Sequence, residues 1–305
     1  MKIKSLKTEL RYGENPNQKA YLVSKSKKSI FDSQIQGKKI SYNNLIDLDS
    51  GLRCMTEFTE PTSIIVKHTN PCGVASRQNI LDAFIRSYKS DPKSAFGGII
   101  FLNRKVNYGL AKKIFKNFFE MVVAPNFDKK ALKILEKKKN LILKKIPNIK
   151  QDIIEHKSTI FGELYQSKDL VRINKKFISL VSQNTTSLKL IDDLIFSLKV
   201  AKHLKSNAIV LSNNKQTLGL GHGQTNRVDA LVSALKNMNK YFEKKIFVCA
   251  SDGFFPFTDS ISLLKKNGCK VVAQPSGSIN DKKIISFANK NAVSLYFIKN
   301  RLFKH

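Results

Sequence analysis

The chain of 305 residues contains no tryptophan, only 23 acidic residues and only four cysteines. The cysteines are scattered and include no CxxC pair, so neither a disulfide framework nor a cysteine zinc cluster is indicated. No apolar run approaches the roughly 20 residues that a membrane-spanning helix needs, and the Lys-rich amino terminus lacks the apolar core of a signal peptide. We therefore expect a cytoplasmic protein with reduced, mostly buried thiols and no membrane partner.

Positive charge is abundant, because 54 Lys and Arg residues give a formal net charge of +31. Only eight of these residues are Arg, and the Lys residues are spread along the whole chain. Nucleic-acid readers rely on the planar fork of Arg, whereas evenly spread Lys is typical of a solvated surface. Since 42% hydrophobic content also excludes simple disorder, we expect a folded protein that binds nucleic acid only non-specifically. A functional surface for polyanions is the alternative.

Short apolar runs recur along the chain with helical stretches between them. They lie at 63–66, 97–102, 121–124, 207–211, 245–250, 270–273 and 293–298. Continuous runs of this kind are typical of strands covered on both faces by helices, so we predict an α/β fold. The spacing predicts an amphipathic helix over Val228–Tyr241 and an exposed, lysine-rich helix within 128–150.

The length of the chain is sufficient for two core-forming units. A polar stretch at 182–187 separates the two strand-rich parts of the sequence. We therefore expect a first α/β subdomain over 1–185 and a second over 186–305.

Polar residues that follow the predicted strands are the first candidates for a site, because ligands of open α/β sheets bind beyond the carboxyl ends of strands. The run at 63–66 is followed by Lys67 and His68. An imidazole accepts a proton at neutral pH, and an adjacent ammonium stabilises negative charge or delivers a proton. The pair is a candidate for acid–base catalysis, and a structural His68 is the alternative.

Two further segments follow predicted strands. The GLGHG segment at 219–223 has neither the dinucleotide fingerprint nor P-loop spacing. With Arg227 it predicts a turn that holds a polar or anionic ligand, or else a simple tight connection. The aromatic loop at 251–257 either fills the core or forms a flat wall for a planar heterocycle.

A zinc deaminase signature is incomplete in this sequence. It requires HxE followed by PCxxC, and Pro71-Cys72 after His68 matches only part of it. The places of the glutamate and of the second cysteine are taken by Asn70 and Ala75. We therefore expect no zinc.

Eight motifs occur in order from residue 10 to the carboxyl terminus. They are LRYGENPNQ (10–18), VKHTNPCGVA (66–75), DPKSAFGGII (91–100), EMVVAP (120–125), GLGHGQTNRVDA (219–230), SDGFFPF (251–257), PSGSI (275–279) and RLFKH (301–305). Together they resemble the phosphoribosylaminoimidazolecarboxamide (AICAR) formyltransferase half of the bifunctional purine-biosynthesis family. This resemblance implies transfer of a formyl group from 10-formyltetrahydrofolate to the 5-amino group of AICAR, giving FAICAR.

The resemblance also implies residue roles. His68 would accept the amine proton, while Lys67 would stabilise the oxyanion and assist departure of the folate nitrogen. The positions that match nucleotide contacts are Arg11, Tyr12, Gly97, Glu120, Asn207, Arg227, Phe254 and Arg301, and those on the folate side are Asp259, Ser278 and Ile279. Arg11 and Arg301 would hold the phosphate through charge-assisted hydrogen bonds. No metal is required for the chemistry, although the family can bind potassium near the site.

The family's architecture implies two cytidine-deaminase-like α/β subdomains in tandem and a homodimer with the active site across the interface. The sequence departs from the family at Asn17, His222, Asn226 and Gly253, which replace His, Ala, Ser and Ala. The inosine monophosphate cyclohydrolase domain does not precede the first motif, so we expect a separate protein to supply that step. A basic nucleic-acid-binding protein on a decayed enzyme scaffold is the alternative function.

Overall fold

The computed structural model describes residues 6–24, 30–146, 153–243 and 246–305. Its first elements are β1 (Leu6–Glu9), β2 (Tyr21–Ser24), β3 (Gln34–Gln36), α1 (Tyr42–Met55), β4 (Thr62–Lys67), β5 (Asn70–Ser76), α2 (Ile80–Ser90), α3 (Pro92–Ala95), β6 (Ile99–Leu102), α4 (Tyr108–Phe115), β7 (Met121–Ala124), α5 (Lys129–Leu135) and β8 (Ile142–Lys145). The later elements are β9 (Ile154–Thr159), β10 (Gly162–Ser167), β11 (Ile178–Leu180), α6 (Leu188–Ala201), β12 (Ile209–Asn213), β13 (Gln216–Gly221), α7 (Arg227–Tyr241), β14 (Phe247–Ser251), α8 (Asp259–Lys266), β15 (Cys269–Pro275), α9 (Asp281–Lys290) and β16 (Ser294–Ile298).

A sheet of twelve strands organises the chain. Its order is β11-β16-β15-β14-β12-β13-β5-β4-β6-β7-β8-β3, and two hairpins, β1–β2 and β9–β10, form separate small sheets. The strands β6, β7 and β8 are parallel, as are β14, β15 and β16, whereas the four central strands pair antiparallel. The predicted α/β class is confirmed.

The order of elements occurs twice. The series α1–β4–β5–α2–β6–α4–β7–α5–β8 corresponds to α6–β12–β13–α7–β14–α8–β15–α9–β16, and the strand order of the sheet is the same when counted from either edge. The two series meet where β5 pairs antiparallel with β13, with Ala75 opposite Gln216. Consequently the carboxyl ends of β14–β16 lie at the same end of the strands as the amino ends of β6–β8.

Helices cover both faces of this sheet. The helices α1 and α6 pack on one face, and α2, α4, α5, α7, α8 and α9 pack on the other. Side chains alternate along a strand, so Ile64 and Val66 of β4 enter the first core layer whereas Ile65 enters the second. This two-sided burial explains why the strands are continuous apolar runs.

Helix starts are defined by short polar side chains. The Asn79 side chain accepts a hydrogen bond from the backbone of Asp82 at the start of α2, and Asn226 accepts one from Asp229 at the start of α7. Asparagine is among the preferred residues at this capping position. The Asn226 departure from the family therefore retains a capping side chain.

Each of the seven apolar runs overlaps a strand, although residue 245 of one run lies outside the described part, and the helix predicted over Val228–Tyr241 is α7. The helix expected within 128–150 is wrong beyond its first turns, because α5 ends at Leu135 and 142–145 forms β8 beside β7. Residues 147–150 of that prediction lie outside the described part.

The GLGHG segment is only partly a turn, since Gly219 and Gly221 lie within β13 and Gly223, with φ of 67°, follows the strand. A Cβ on Gly219 would overlap the backbone of Ala234, and one on Gly221 would overlap that of Ala230. These glycines therefore allow α7 to approach the sheet closely.

The four cysteines of the chain are free, and Cys54, Cys249 and Cys269 are buried. Burial raises the pKa of the Cys72 and Cys269 thiols to about 12. No helix in the described ranges has both the length and the apolar character needed to cross a bilayer.

Candidate active site

Lys67 and His68 lie where β4 turns into β5. His68 and Thr69 alone connect the two strands, and both have left-handed backbones with φ of 53° and 66°. A two-residue hairpin turn of type I′ has positive φ at both residues and usually contains Asn-Gly. Each such residue other than glycine costs on the order of 1–3 kcal/mol, so its surroundings must hold this turn.

Contacts with neighbouring residues hold the turn. Ser50 of α1 donates a hydrogen bond of 2.5 Å to the backbone carbonyl of Thr69. The Asn70 side chain donates one of 2.9 Å to the carbonyl of His68. The His68 side chain itself is exposed and is free to face a ligand.

The half-buried Lys67 is the last residue of β4. Its ammonium donates a hydrogen bond of 2.7 Å to the backbone carbonyl of Phe96, directly before Gly97. Gly97 has a positive φ of 73°, and its backbone N–H donates to the carbonyl of Phe118 at 2.9 Å. The positive φ explains why glycine occupies this position.

Glu120 precedes β7, just as Gly97 precedes β6. Its backbone N–H donates to the carbonyl of Gly98 at 3.0 Å, and its carboxylate pairs with Lys38 at 2.6 Å. Gly97 and Glu120 therefore precede their strands, whereas Lys67 ends its strand and His68 follows it. The first two lie at the amino ends of β6 and β7, because the antiparallel pairing of β4 and β6 brings these ends beside Lys67.

The second half of the sheet contributes Asn207 to the same place. The Asn70 side-chain oxygen accepts a hydrogen bond of 2.9 Å from the backbone of Lys205. Two residues later, the Asn207 side-chain oxygen accepts one of 2.6 Å from Arg227, and its amide donates to the carbonyl of Gln224 at 2.9 Å. The turn of His68 and the start of β12 therefore belong to one hydrogen-bonded network.

Arg227 is the first residue of α7, and its guanidinium is fixed on several sides. It is 9% exposed, forms an ion pair with the fully buried Asp252, and donates to the Ser251 hydroxyl at 3.1 Å. A Cβ at position 253 would overlap the guanidinium, so Gly253 provides the space that Arg227 occupies. The arrangement presents a positive group whose position is set by the fold.

The aromatic loop fills the core in part, and its role as a wall for a ligand stays a prediction. Phe255 is fully buried and fills the core, whereas Phe254 is half-buried. The exposed Arg301 guanidinium lies 5.8 Å from the ring centroid of Phe254 and 5.6 Å from that of Phe303. This part of the site combines a cation with aromatic walls.

Arg11 and Tyr12 lie on the side of α1. The Arg11 guanidinium donates to the Tyr12 hydroxyl at 2.7 Å and lies 4.6 Å from the centroid of its ring. The Tyr12 carbonyl accepts a hydrogen bond of 3.3 Å from Tyr42, the first residue of α1. The contacts of this pair therefore belong to the amino-terminal segment and not to the network of Arg227.

Of the residues predicted for the folate side, Asp259 is the first residue of α8, after the loop that follows β14, and Ser278 and Ile279 lie in the loop that follows β15. Asp259 and Ile279 are exposed, and Ser278 is half-buried. Asn280 joins the two loops by donating a hydrogen bond of 2.8 Å to the carbonyl of Pro256. The loop of Ser278 and Ile279 is therefore joined to the aromatic loop, and no hydrogen bond among the described residues joins it to the network around His68.

Sequence reasoning did not single out Asp252 or Lys304, although both lie in the quoted motifs. The Lys304 ammonium donates to the Ser50 hydroxyl at 3.3 Å and to the His203 carbonyl at 3.1 Å. Burial lowers the pKa of Lys304. It also lowers the pKa of His222, which lies between β13 and Arg227. A carboxylate directly after a strand was the available signal for Asp252, but nothing local identified Lys304.

No set of three or more His, Cys, Asp or Glu side chains within the described ranges is arranged to hold a metal ion. The site instead presents Lys67 and His68 beside an anchored arginine and an aromatic wall. Fold and site together define an α/β protein with an adjacent lysine and histidine and further cationic side chains at one end of a mixed sheet.

The chain belongs to the AICARFT/IMPCHase bienzyme family, whose sequence profile matches residues 1–237. It is 43% identical over 304 residues to a protein of Caldicellulosiruptor bescii, and 45% identical over 305 residues to one of Caldicellulosiruptor saccharolyticus. Both alignments cover 97% of this chain and 59% of the relative. A Limosilactobacillus reuteri protein is 41% identical over 310 residues, covering 98% of this chain and 60% of its own length. All three relatives are named bifunctional purine biosynthesis protein PurH, and the chain spans about three fifths of their length.

Proposed function

We propose that this chain transfers a formyl group from 10-formyltetrahydrofolate to the 5-amino group of AICAR, giving FAICAR in purine biosynthesis. The observation that carries the proposal is the Lys67–His68 turn beside the network of Asn207, Arg227 and Asp252. Membership of the family and the name shared by the relatives support it. The proposal concerns formyl transfer alone, and a separate cyclohydrolase stays an expectation.

The reaction needs help because the amine is a poor nucleophile, its lone pair being drawn into the imidazole and toward the carboxamide. A bond forms between this nitrogen and the formyl carbon while His68 takes the amine proton. Lys67 stabilises the oxyanion and then gives a proton to the folate nitrogen as the bond between that nitrogen and the formyl carbon breaks. The protonated His68 and the neutral Lys67 return to their starting states by proton exchange with water. General acid–base catalysis contributes about 10²–10⁴-fold, so orientation of the two ligands supplies much of the remainder.

The position of Lys67 suits this role. An ammonium carries three N–H donors, and the hydrogen bond to the Phe96 carbonyl uses one of them to fix the group. A hydrogen-bond donor that is already in place when the charge develops stabilises the transition state more than a donor that must first reorient. The hydrogen bond from the half-buried Lys67 to the Phe96 carbonyl therefore supports Lys67 as the group that faces the oxyanion.

The substrate contacts that we propose come from the family resemblance. We assign the phosphate to Arg11 and Arg301, with Tyr12 beside the first, because guanidinium groups form strong charge-assisted hydrogen bonds with phosphate. The remaining nucleotide contacts are assigned to Gly97, Glu120, Asn207, Arg227 and Phe254, and the folate contacts to Asp259, Ser278 and Ile279. No step is assigned to potassium.

Architecture beyond the α/β class is part of the same proposal. The repeated order of elements supports two cytidine-deaminase-like subdomains, 1–185 and 186–305, that share one sheet. We also propose a cytoplasmic homodimer with the site at its interface. Sedimentation of the purified chain tests the dimer, and a monomer with full activity would contradict it.

The direct test is a turnover assay. Purified chain is incubated with AICAR and 10-formyltetrahydrofolate, and formation of tetrahydrofolate and FAICAR is followed. We expect turnover in the wild type and a loss of about 10²–10⁴-fold in Lys67→Ala. A folded wild type that forms no product, or a Lys67→Ala variant with wild-type turnover, would contradict the proposal.

The alternative is nucleic-acid binding, which the net charge of +31 favours. Affinity for DNA and RNA of unrelated sequences is measured at rising salt. We expect weak binding that falls steeply with salt and ignores sequence, because it rests on released counterions. Tight, sequence-selective binding together with absent turnover would favour the alternative.

A further inference from the structure

Among the residues that the structure describes, a hairpin turn with two left-handed residues occurs once in each half of the chain. His68 and Thr69 connect β4 to β5, and Asn214 and Lys215, with φ of 49° and 47°, connect β12 to β13. The helix before each hairpin carries an aspartate as its sixth residue, because α1 begins at Tyr42 and α6 at Leu188. These aspartates are Asp47 and Asp193.

Both aspartates accept hydrogen bonds from the backbone of their turn. The N–H of Thr69 donates to an Asp47 carboxylate oxygen at 2.5 Å. The N–H groups of Asn214 and Lys215 donate to the two Asp193 oxygens at 2.8 and 2.6 Å. The same contact, a helix aspartate that accepts hydrogen bonds from turn N–H groups, therefore supports both the turn that contains His68 and the turn that has no histidine.

Each carboxylate is kept partly away from water. Burial raises the pKa of Asp47 above its ordinary value, although hydrogen bonds from the backbone of Thr69 and His68 act in the opposite direction. Burial also raises the pKa of Asp193 against the N–H groups of its own turn. Since desolvating a carboxylate is unfavourable, the turn N–H groups are the contacts that offset this cost.

We propose that Asp47 is a positioning residue, whose carboxylate holds the His68–Thr69 turn in the conformation from which His68 takes the amine proton. The inference rests on the proposed formyl transfer. A general base must lie within about 2.6–3.2 Å of the proton it takes, directly or through one water. A shift of about 1 Å in the reacting groups can cost about 10²-fold, and the backbone of His68 shares the turn that Asp47 binds.

Asp47→Ala and Asp47→Asn separate this role from general stability. Alanine removes the acceptor, so we expect kcat to fall by about 10²-fold while KM for AICAR changes little. Asparagine retains a side-chain oxygen that accepts from Thr69, so most of kcat should return. An Asp47→Ala variant with wild-type kcat, or an Asn variant impaired as much as the Ala variant, would overturn the role.

Asp193→Ala and Asp193→Asn are the matched controls, because they alter the same contact at the other turn. Unfolding in urea should show a lower transition midpoint for both alanine variants, because the N–H groups of each turn lose their carboxylate acceptor. Only the Asp47 variant should lose kcat, and an equal loss in Asp193→Ala would overturn the inference. If the alanine variants do not fold, the two asparagine variants test the inference instead. The remaining loss of kcat should then be larger for Asp47→Asn than for Asp193→Asn, and equal values would overturn the inference.

The wild-type assay separates this inference from the proposed function. A folded wild type without turnover contradicts formyl transfer, and the positioning role falls with it. A wild type that turns over beside an Asp47→Ala variant with unchanged kcat contradicts the positioning role alone.

Discussion

The two hairpin turns are built alike but differ in the residues that surround them. The turn at His68 faces the end of the strands where Asn207, Arg227 and the aromatic loop meet. The turn at Asn214 and Lys215 lies at the other end, where the Arg77 guanidinium donates to the carbonyls of both turn residues. The same turn conformation therefore forms part of the candidate site at the His68 end of the strands. At the other end, Arg77 binds the turn itself.

The end that holds the Asn214 turn also contains a cavity of about 220 Å³. It is lined by Arg77, Arg86, Lys89, Asn213, Asn214, Gln216, Leu218 and Phe242. Its cationic side chains have local partners, since Arg86 pairs with Asp82 at 3.3 Å and Lys89 lies 5.6 Å from the ring centroid of Phe242. Cationic side chains alone therefore do not distinguish the two ends, whereas an imidazole on the turn does.

The largest expected difference between the ends comes from His68→Asn. This change gives the first turn the residue that the second turn has as Asn214, and Asn tolerates a left-handed backbone. The fold should persist, while kcat for formyl transfer should fall by about 10²–10⁴-fold because the proton acceptor is lost. Steady-state kinetics and thermal unfolding on the same samples measure both effects.

The matched control is Asn214→His, which places an imidazole on the second turn. Activity should stay at the wild-type level, since no network equivalent to Asn207 and Arg227 surrounds that turn among the described residues. Wild-type kcat in His68→Asn, or a comparable loss in Asn214→His, would show that the difference between the ends is not catalytic.

Apolar runs predicted seven strands of the large sheet because burial on both faces leaves a continuous pattern, whereas the parallel strand β8 was predicted as helix. The strands β5 and β13 were missed, since their NPCGVAS and QTLGLG sequences contain the Pro and Gly residues that usually mark turns. Those glycines are needed because helices pack directly on them, a reason that only the tertiary structure shows. Lys67 and His68 were found because they end an apolar strand.

Other site residues depended on long-range pairing. The ion pair of Arg227 with Asp252 joins residues from different elements, and no local pattern links them. Gly97 and Glu120 lie at the amino ends of β6 and β7, and these ends are beside Lys67 because β4 and β6 pair antiparallel. Sequence spacing therefore predicted the strand ends but not which ends would meet.

A moderate and equal effect is expected from Gly73→Ala and Gly219→Ala. A Cβ on Gly73 would overlap the carbonyl of Ser87 in α2, and one on Gly219 would overlap that of Ala234 in α7. Overpacking of this kind typically costs about 1–3 kcal/mol, so both variants should be less stable in urea unfolding. Equal losses would show that the two halves use the same helix–sheet contact.

Gly109→Ala in α4 is the control for these substitutions. Its Cβ would meet the nearest heavy atoms at 3.6 and 3.8 Å, which is ordinary contact. Alanine is favoured over glycine in a helix by up to about 1 kcal/mol, so stability should stay the same or rise. A clear loss in one strand variant and none in the other would contradict the equivalence of the halves.

The smallest expected effect concerns β8 and its counterpart β16. Lys144 of β8 is fully buried and donates to the Ser33 hydroxyl at 2.6 Å, whereas β16 buries Leu295 and Ile298 in the core. Burial lowers the pKa of Lys144 from 10.5 to about 8, although the charge of Asp32 acts in the opposite direction. Lys144→Met should therefore raise the free energy of unfolding at pH 7 by about 1 kcal/mol, because it removes a buried charge.

The sign of the pH dependence follows from proton binding by this lysine. Between about pH 8 and 10.5 the unfolded chain retains the Lys144 proton while the folded chain has released it, so this residue makes wild-type stability rise with pH. Methionine has no proton to release, and the advantage of Lys144→Met should shrink across that window. Urea unfolding of both proteins at pH 7 and 9.5 measures the change. If the difference in their free energies of unfolding is the same at both pH values, the pKa of Lys144 is not lowered in the folded chain.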